Sequence, residues 1–222
     1  MEPMEMLKYV DHTQLKAFAT WDDYTKLCDE AVEYHTASVC IPPSYIKRVK
    51  ETYGDKINIC TVVGFPLGYS CTAAKVAEVK QALADGASEI DMVINIGDCK
   101  EHHYDKIEAE IKALKKACGD NILKVIIETC YLTEEEKARM CKAVTNAGAD
   151  YIKTSTGFGT NGATLEDILL FKANIGPKVK IKAAGGVKSI DDLQSFIEAG
   201  ASRIGSSSAI AIVCGASEVK GY

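Results

Sequence analysis

The chain has 222 residues, 47% of them hydrophobic, with a net charge of −5 and a pI near 5.5. That length fits one large domain or two small ones, and the apolar fraction supports a sizeable core. The lysines are scattered rather than blocked, which argues against a nucleic-acid partner, and no apolar run approaches the ~20 residues of a membrane span.

The N-terminal MEPMEMLKYVDHTQLK is charged and has no signal-like apolar stretch. Short apolar runs then alternate with amphipathic ones. A strand is expected over 7–12, then a helix over 22–35; a strand over 37–42, then a helix over 43–53. A third strand, 57–65, precedes a helix over 72–85, and a fourth, 89–95, precedes one over 103–118. The remaining pairs are 123–129 with 133–147, 151–156 with 164–174, and 179–186 with 189–199; a last strand lies at 202–207. Thr133 with Glu136 forms a capping-box pattern, and Ser189 with Asp192 resembles one. DGASEI (85–90), AGADYI (147–152) and AGASRI (199–204) form a weak internal repeat, each closing a helix and opening a strand. Gly86, Gly148 and Gly200 suit the left-handed residue that ends a helix. Short αβ turns of this kind belong to a parallel sheet with helical crossovers.

Eight such units predict a single-domain α/β protein, a (β/α)8 TIM barrel spanning residues 1–222. The alternative is a doubly wound open sheet, weakened because no dinucleotide glycine fingerprint follows the first strand. The nine cysteines are an odd number with no C-x-x-C pair, so they read as reduced thiols in a cytoplasmic protein. The four histidines form no H-E-x-x-H set, so a metal site is disfavoured and no cofactor is expected.

In a barrel the active site lies at the C-terminal ends of the strands. Polar residues gather there: Asp11, Cys40, Asp91 with Asn95, Glu128, Lys153 and Lys182. Strand alternation in EIDMVIN turns Asp91, Val93 and Asn95 toward the axis and Ile90, Met92 and Ile94 toward the helices. Lys153 in YIKTSTGFGT and Lys182 in VKIKAAGGV sit on adjacent strands. A neighbouring ammonium at ~4 Å opposes a second positive charge by about 4 kcal/mol at an effective dielectric of ~20, roughly three pKa units. An amine freed in this way attacks a carbonyl and forms a Schiff base. Asp91 is the candidate proton carrier. The plainer reading of the trio is a structural ion network, and for a single lysine it would be preferred.

Gly185 and Gly186 after strand seven, and GSSSA (205–209) after strand eight, form a candidate phosphate cradle containing Gly205, Ser207 and Ser208. Thr156 and Gly157 extend it. Cys40 reads as a small buried hydrophobe. Asp11 either caps the next helix or bonds into the site; Glu128 is a further acid at the mouth. Tyr222 is the final residue, where the default role is none.

Seven ordered stretches, VDHTQLK, ASVCIPP, EIDMVINIG, LKVIIET, YIKTSTGF, IKAAGGV and RIGSSSA, make the chain resemble the deoxyribose-phosphate aldolase family of Schiff-base (class I) aldolases over nearly its whole length. The resemblance implies that Lys153 forms the Schiff base, Lys182 tunes it and Asp91 relays protons. It also implies that Cys40 lines the site, and that Asp11, with Thr13 in the same DHT motif, contacts the substrate sugar. The implied partners are a small phosphorylated sugar, 2-deoxy-D-ribose 5-phosphate, and acetaldehyde, the latter left on Lys153 as an imine or enamine. The phosphate would rest on Gly185, Gly186, Ser207 and Ser208. In some members a C-terminal tyrosine assists proton transfer, which marks Tyr222 as a proton relay. Ala183 departs from the proline of some members, and the tail is short. Barrels of this kind often pair, so a homodimer is expected, although no motif defines its interface. Competing readings are another Schiff-base barrel, a metal-dependent aldolase, and a non-catalytic sugar-phosphate binder.

Overall fold

The protein is described from a computed structural model over residues 1–215. Eight parallel strands close into a barrel in sequence order: β1 (Val10–Thr13), β2 (Ser38–Ile41), β3 (Ile59–Val63), β4 (Glu89–Val93), β5 (Ile122–Ile126), β6 (Tyr151–Lys153), β7 (Lys180–Ala184) and β8 (Arg203–Ser206). β8 pairs with β1 to complete the ring. The expected fold is the one observed. The open-sheet alternative fails because no strand edge is left unpaired.

The helices are α1 (Pro3–Met6), α2 (Trp21–Glu33), α3 (Ile46–Tyr53), α4 (Thr72–Asp85), α5 (Ile96–Lys100), α6 (Tyr104–Cys118), α7 (Glu134–Ala147), α8 (Leu165–Asn174), α9 (Ile190–Ala199) and α10 (Ala209–Val213). Among the described residues none is long and apolar enough to cross a membrane. Capping chemistry places several starts. Thr133 N–H donates to Glu136 at 2.7 Å, and Glu136 N–H donates back to Thr133 Oγ1 at 3.3 Å. Ser189 accepts from Asp192 N–H, but the Asp192 carboxylate turns to Lys188 N–H, so this second box is only half formed. Gly86, Gly148 and Gly200 end α4, α7 and α9 at φ 113°, 74° and 126°, which lets each helix turn directly into the next strand.

Local expectations change at strand ends: β5 stops at Ile126 and β6 at Lys153, short of the expected 129 and 156. Residues 7–9 form a 3-10 turn rather than strand. Asn95 does not extend β4 toward the axis; its side chain accepts from Asp98 N–H and caps the short α5. Asparagine competes for the backbone at such a position more effectively than it fills a strand.

The apolar core lies between strands and helices, where Ile90, Met92, Val125, Ile152 and Ile181 meet Val79, Ile111, Met140, Ile168 and Leu193. The barrel interior differs. TIM-barrel axes are ordinarily filled by layers of branched apolar side chains. Here Asp11, Glu89, Asp91, Lys124 and Lys182 are buried along the axis, and the apolar residues beside them include a small cluster of Leu15, Cys40, Cys60 and Val62 packed with Phe65.

Candidate active site

Register brings the charges together. In-register neighbours on parallel strands point to the same face, and Asp91 is opposite Lys124, Lys153 opposite Lys182, and Lys182 opposite Arg203. Lys153 Nζ and Lys182 Nζ each lie 2.7 Å from Asp91 Oδ2. The two nitrogens are therefore no more than twice that distance apart. Lys124 Nζ donates to Asp91 Oδ1 at 2.8 Å and lies 2.6 Å from Glu89 and 3.4 Å from Asp11. Lys182 also donates to Asp11. Arg203 Nη1 closes the network at 2.6 Å from Asp11 and 2.9 Å from Glu89.

Burial alone would push the Asp91 carboxyl up, but Lys124, Lys153 and Lys182 overcome it and hold the group well below the usual carboxylate range. Asp11 follows the same logic, held down by Lys124, Lys182 and Arg203. For Lys124 and Lys182, burial favours the free amine, yet the carboxylates of Asp11 and Asp91 win and raise both. Asp11 and Asp91 are thus ionised and Lys124 and Lys182 protonated across the neutral range.

Above this network, at the C-terminal ends of the strands, is a cavity of about 270 Å³. Lys153 reaches it; Lys182 and Asp91, both fully buried, lie beneath. Thr13, Thr156, Gly157, Gly185, Gly186, Gly205, Ser207 and Ser208 all line its wall, joined by Leu15, Val187 and Lys188. Gly185 and Gly186 take φ 71° and 79°, and a Cβ on Gly186 would sit 2.8 Å from the Ala163 carbonyl oxygen. Only glycine fits that approach of the β7–α9 turn to the β6–α8 loop. Gly205 leaves room for the Lys182 stem, since a Cβ there would sit 3.2 Å from Lys182 Cε.

Glu128 fixes the β6–α8 loop. Its carboxylate accepts from Thr156 N–H at 3.2 Å and from the Thr156 hydroxyl. Burial raises its pKa against those hydrogen bonds. Its backbone adopts φ 52°, a strained choice for a side chain of this size, held by the loop it supports.

Two expected site residues lie elsewhere. Asp11 does not border the cavity and has no path to a sugar there: it is fully buried and bonded to Lys182, Arg203 and Ser38. It stands two residues before Thr13 on β1, so the two side chains share the inward face and differ in depth, Thr13 at the cavity and Asp11 one layer below it. It caps no helix either; α2 begins after Thr20. Cys40 is buried in the apolar cluster beside Cys60 and is not part of the cavity wall. The hydrogen bond with Cys60 lowers its pKa against burial. Tyr222 lies outside the described residues.

Sequence reasoning missed Lys124, Glu89 and Arg203. The signal was present. Lys124 breaks the apolar run LKVIIET as Lys153 breaks YIKTST, and Glu89 lies two before Asp91, on the same strand face. Ligand atoms of Cys40, Cys60 and Asp91 lie within 4.8 Å of one another, a spacing that would suit a metal. The Lys124 ammonium, 3.1 Å from Cys60 Sγ and 2.8 Å from Asp91, already supplies positive charge there.

A closed parallel barrel with an amine at its mouth, backed by buried ammonium and carboxylate groups, defines the class of barrel enzymes that work on carbonyl compounds. The chain belongs to the DeoC/LacD family of aldolases, whose family model matches residues 5–217. It is 68% identical over 222 residues, all of both chains, to the deoxyribose-phosphate aldolase of Clostridium botulinum (strain Alaska E43 / Type E3). It is 64% identical over 203 residues to that of Clostridioides difficile (strain 630), covering 91% of this chain and 93% of the relative. Among solved structures it resembles QR15, an aldolase (TM-score 0.90, 38% identity, 94% of each chain). It also resembles the deoxyribose phosphate aldolase of Aeropyrum pernix, described as a unique tetramer (TM-score 0.85, 29% identity, 95% of this chain and 90% of that one).

Proposed function

We propose that the protein catalyses the reversible cleavage of 2-deoxy-D-ribose 5-phosphate to acetaldehyde and D-glyceraldehyde 3-phosphate through a Schiff base on Lys153. The observation that carries this reading is a charge count. Asp11, Glu89 and Asp91 supply three carboxylates; Lys124, Lys182 and Arg203 supply three cations already committed to them. Within this network of contacts Lys153 is a fourth, surplus cation and the one of the four that meets the cavity. Losing its proton leaves the network balanced, and the lone pair then faces the substrate.

The Lys153 amine attacks C1 of the open-chain sugar, and water leaves to give the protonated imine. The imine draws the electrons of the C2–C3 bond toward nitrogen as the C3 hydroxyl loses its proton, releasing D-glyceraldehyde 3-phosphate and leaving an enamine. Protonation at C2 and hydrolysis then release acetaldehyde and restore the amine. Asp91 Oδ2, one hydrogen bond from both Lys153 and Lys182, moves protons without recourse to bulk water. The Lys182 ammonium supports the negative charge that Asp91 carries between proton transfers. Gly185, Gly186, Gly205, Ser207 and Ser208 suit a phosphate, with Lys188 at the same wall supplying a positive charge. At about 270 Å³ the cavity is just below the usual span of ligand sites, ~300–1,000 Å³, which suits a substrate smaller than a drug-sized ligand. Thr13 and Thr156 line the same wall, and because their hydroxyl protons go to the Asp11 carbonyl and to Glu128, each would meet a sugar hydroxyl as an acceptor.

Borohydride reduction with acetaldehyde present, followed by mass mapping, tests the reading. It should tag Lys153 alone, and Lys153→Ala should neither trap nor turn over. A tag on another lysine, or turnover in that variant, overturns the assignment. Two lesser proposals accompany it. The thiol-rich, disulfide-free chain suits the cytoplasm, and a homodimer is its assembly, which sedimentation velocity would correct if a monomer or tetramer is found.

A further inference from the structure

The ion network does not stop below the active site. Arg203 opens β8 and Glu89 opens β4, so both stand at the end of the barrel opposite the mouth. Arg203 borders a second cavity there, shared with Tyr9, Ala37 and Tyr151. From that floor the contacts run without a break: Arg203 to Asp11 and Glu89, Glu89 to Lys124, Asp11 to Lys182, Lys124 and Lys182 to Asp91, and Asp91 to Lys153. Each link is 2.9 Å or shorter. The residues are almost fully enclosed, so water screens them little.

We infer that Arg203 and Glu89 are positioning residues that set, through this chain of contacts, how readily Lys153 gives up its proton. The inference rests on Lys153 being the reactive amine. With Lys153 neutral, the network holds three negative and three positive charges. Removing the Arg203 charge leaves a carboxylate in excess and retains the proton on Lys153. Removing the Glu89 charge leaves a cation in excess and expels it. A purely structural pair would weaken the barrel in both cases and would have no reason to act in opposite directions.

Other charged groups facing these residues stand outside the chain of contacts and are the same in every variant compared, so they do not alter the direction of either shift. Counting the chain's own members, the groups around Lys153 are Asp91, Lys124 and Lys182, the Cys40 and Cys60 thiols, Lys188 at the same cavity wall, and Glu128, whose pKa burial raises while its carboxyl group accepts from Thr156. Around Arg203 they are Asp11 and Glu89, with the Tyr151 ring 5.6 Å away and Lys180 on the same ring. Glu5 and Lys8, at the floor cavity, neutralise each other at 2.6 Å.

The experiment compares Arg203→Gln, Glu89→Gln, the double variant and Arg203→Lys. Two pH profiles are recorded: acetylation of Lys153 by acetic anhydride, mapped by mass spectrometry against exposed lysines, and kcat/KM for deoxyribose phosphate cleavage. A unit charge removed on the order of 10 Å away, at an effective dielectric of ~20, should move the acid limb by about one pH unit. R203Q should move both profiles to higher pH and E89Q to lower pH. The double variant should return to within a few tenths of a unit, and R203K should keep the parent profile. Shifts of the same sign, or none in folded variants, overturn the inference. If R203Q does not fold, the direction of the near-isosteric E89Q decides. The acetylation profile needs no turnover. A chain whose Lys153 profile moves as expected but which cleaves no deoxyribose phosphate refutes the proposed substrate and leaves the inference standing.

Discussion

Asp91→Asn separates the two duties of the central carboxylate. Asp91 accepts from Lys124, Lys153, Lys182 and the Cys60 thiol at 2.7–3.1 Å, all in a fully buried setting. Asparagine keeps the shape and one acceptor oxygen but leaves the ammonium groups without their shared counter-charge. Removing one partner of a buried ion pair commonly costs about 3–5 kcal/mol. Lys153 can relieve part of that by releasing its proton into the cavity, so the cost should depend on pH. Urea unfolding at pH 6 should show the larger loss, on the order of 3–5 kcal/mol, with less at pH 9, where Lys153 sheds its proton more easily. Chemistry should divide the other way. The amine is freed, so borohydride trapping of acetaldehyde persists and extends to lower pH. Turnover loses its proton carrier and should drop by ~10²–10⁴-fold. A variant that turns over within a few-fold of the parent would refute Asp91 as the carrier. One that neither traps nor turns over while still folded would refute the claim that its charge holds a proton on Lys153.

Lys182→Met removes a cation adjacent to the same carboxylate oxygen as Lys153, so the acid limb of kcat/KM should move to higher pH by roughly two units, more than for the distant Arg203; an unmoved limb would mean the two amines are uncoupled. Lys124→Met leaves Glu89 and Asp91 short of a counter-ion and should lower stability by about 3–5 kcal/mol in urea melts; a loss below ~1 kcal/mol would make Lys124 a bystander. Glu128→Gln weakens the charge-assisted bonds that hold Thr156, so KM for the phosphorylated sugar should rise several-fold with less change in kcat; the reverse split would place Glu128 in the chemistry instead. Stability should also follow the direction of the buried shifts. The lowered Asp11 and Asp91 contribute stability above the unfolded carboxylate value of ~3.9 and lose it as pH falls toward their folded values. The raised Lys124 and Lys182 contribute it fully below the unfolded lysine value of ~10.4 and lose it as pH rises through their folded values. Urea midpoints should therefore stay nearly level from about pH 5 to pH 10 and fall on both sides; a steep slope near pH 7 would contradict this.

The barrel was legible because its periods are local: apolar runs, helix-ending glycines at 86, 148 and 200, and the Thr133 box all act within a few residues. The mouth was legible for a related reason, since the strand-end rule puts Lys153, Thr156, Gly185 and Ser207 near one another. The depth of each residue was harder to read. Whether an acid on β1 meets a ligand or a neighbouring lysine depends on barrel stagger, a property of eight strands jointly. Asp11 was therefore placed one layer too high, and Lys124 and Arg203, whose partners lie 33 and 192 residues away, went unread.

That missed layer bears on why the fold tolerates such an interior. Ion pairs enclosed at this depth seldom stabilise a protein more than apolar side chains of the same volume would. The cohesion comes from outside the strands, where Ile90, Met92, Val125 and Ile181 pack on the helices. The axis is thus free to hold a rigid array of fixed charge at little risk to the fold. Rigidity matters because the proton on Lys153 is held only as tightly as the uncompensated charge of Asp91 allows. Asp91 is held at both oxygens, Oδ1 by Lys124 and Oδ2 by Lys182, so its charge is already shared where Oδ2 meets Lys153 at 2.7 Å. The cations that crowd the barrel are what keep its carboxylate from holding the Lys153 proton unopposed.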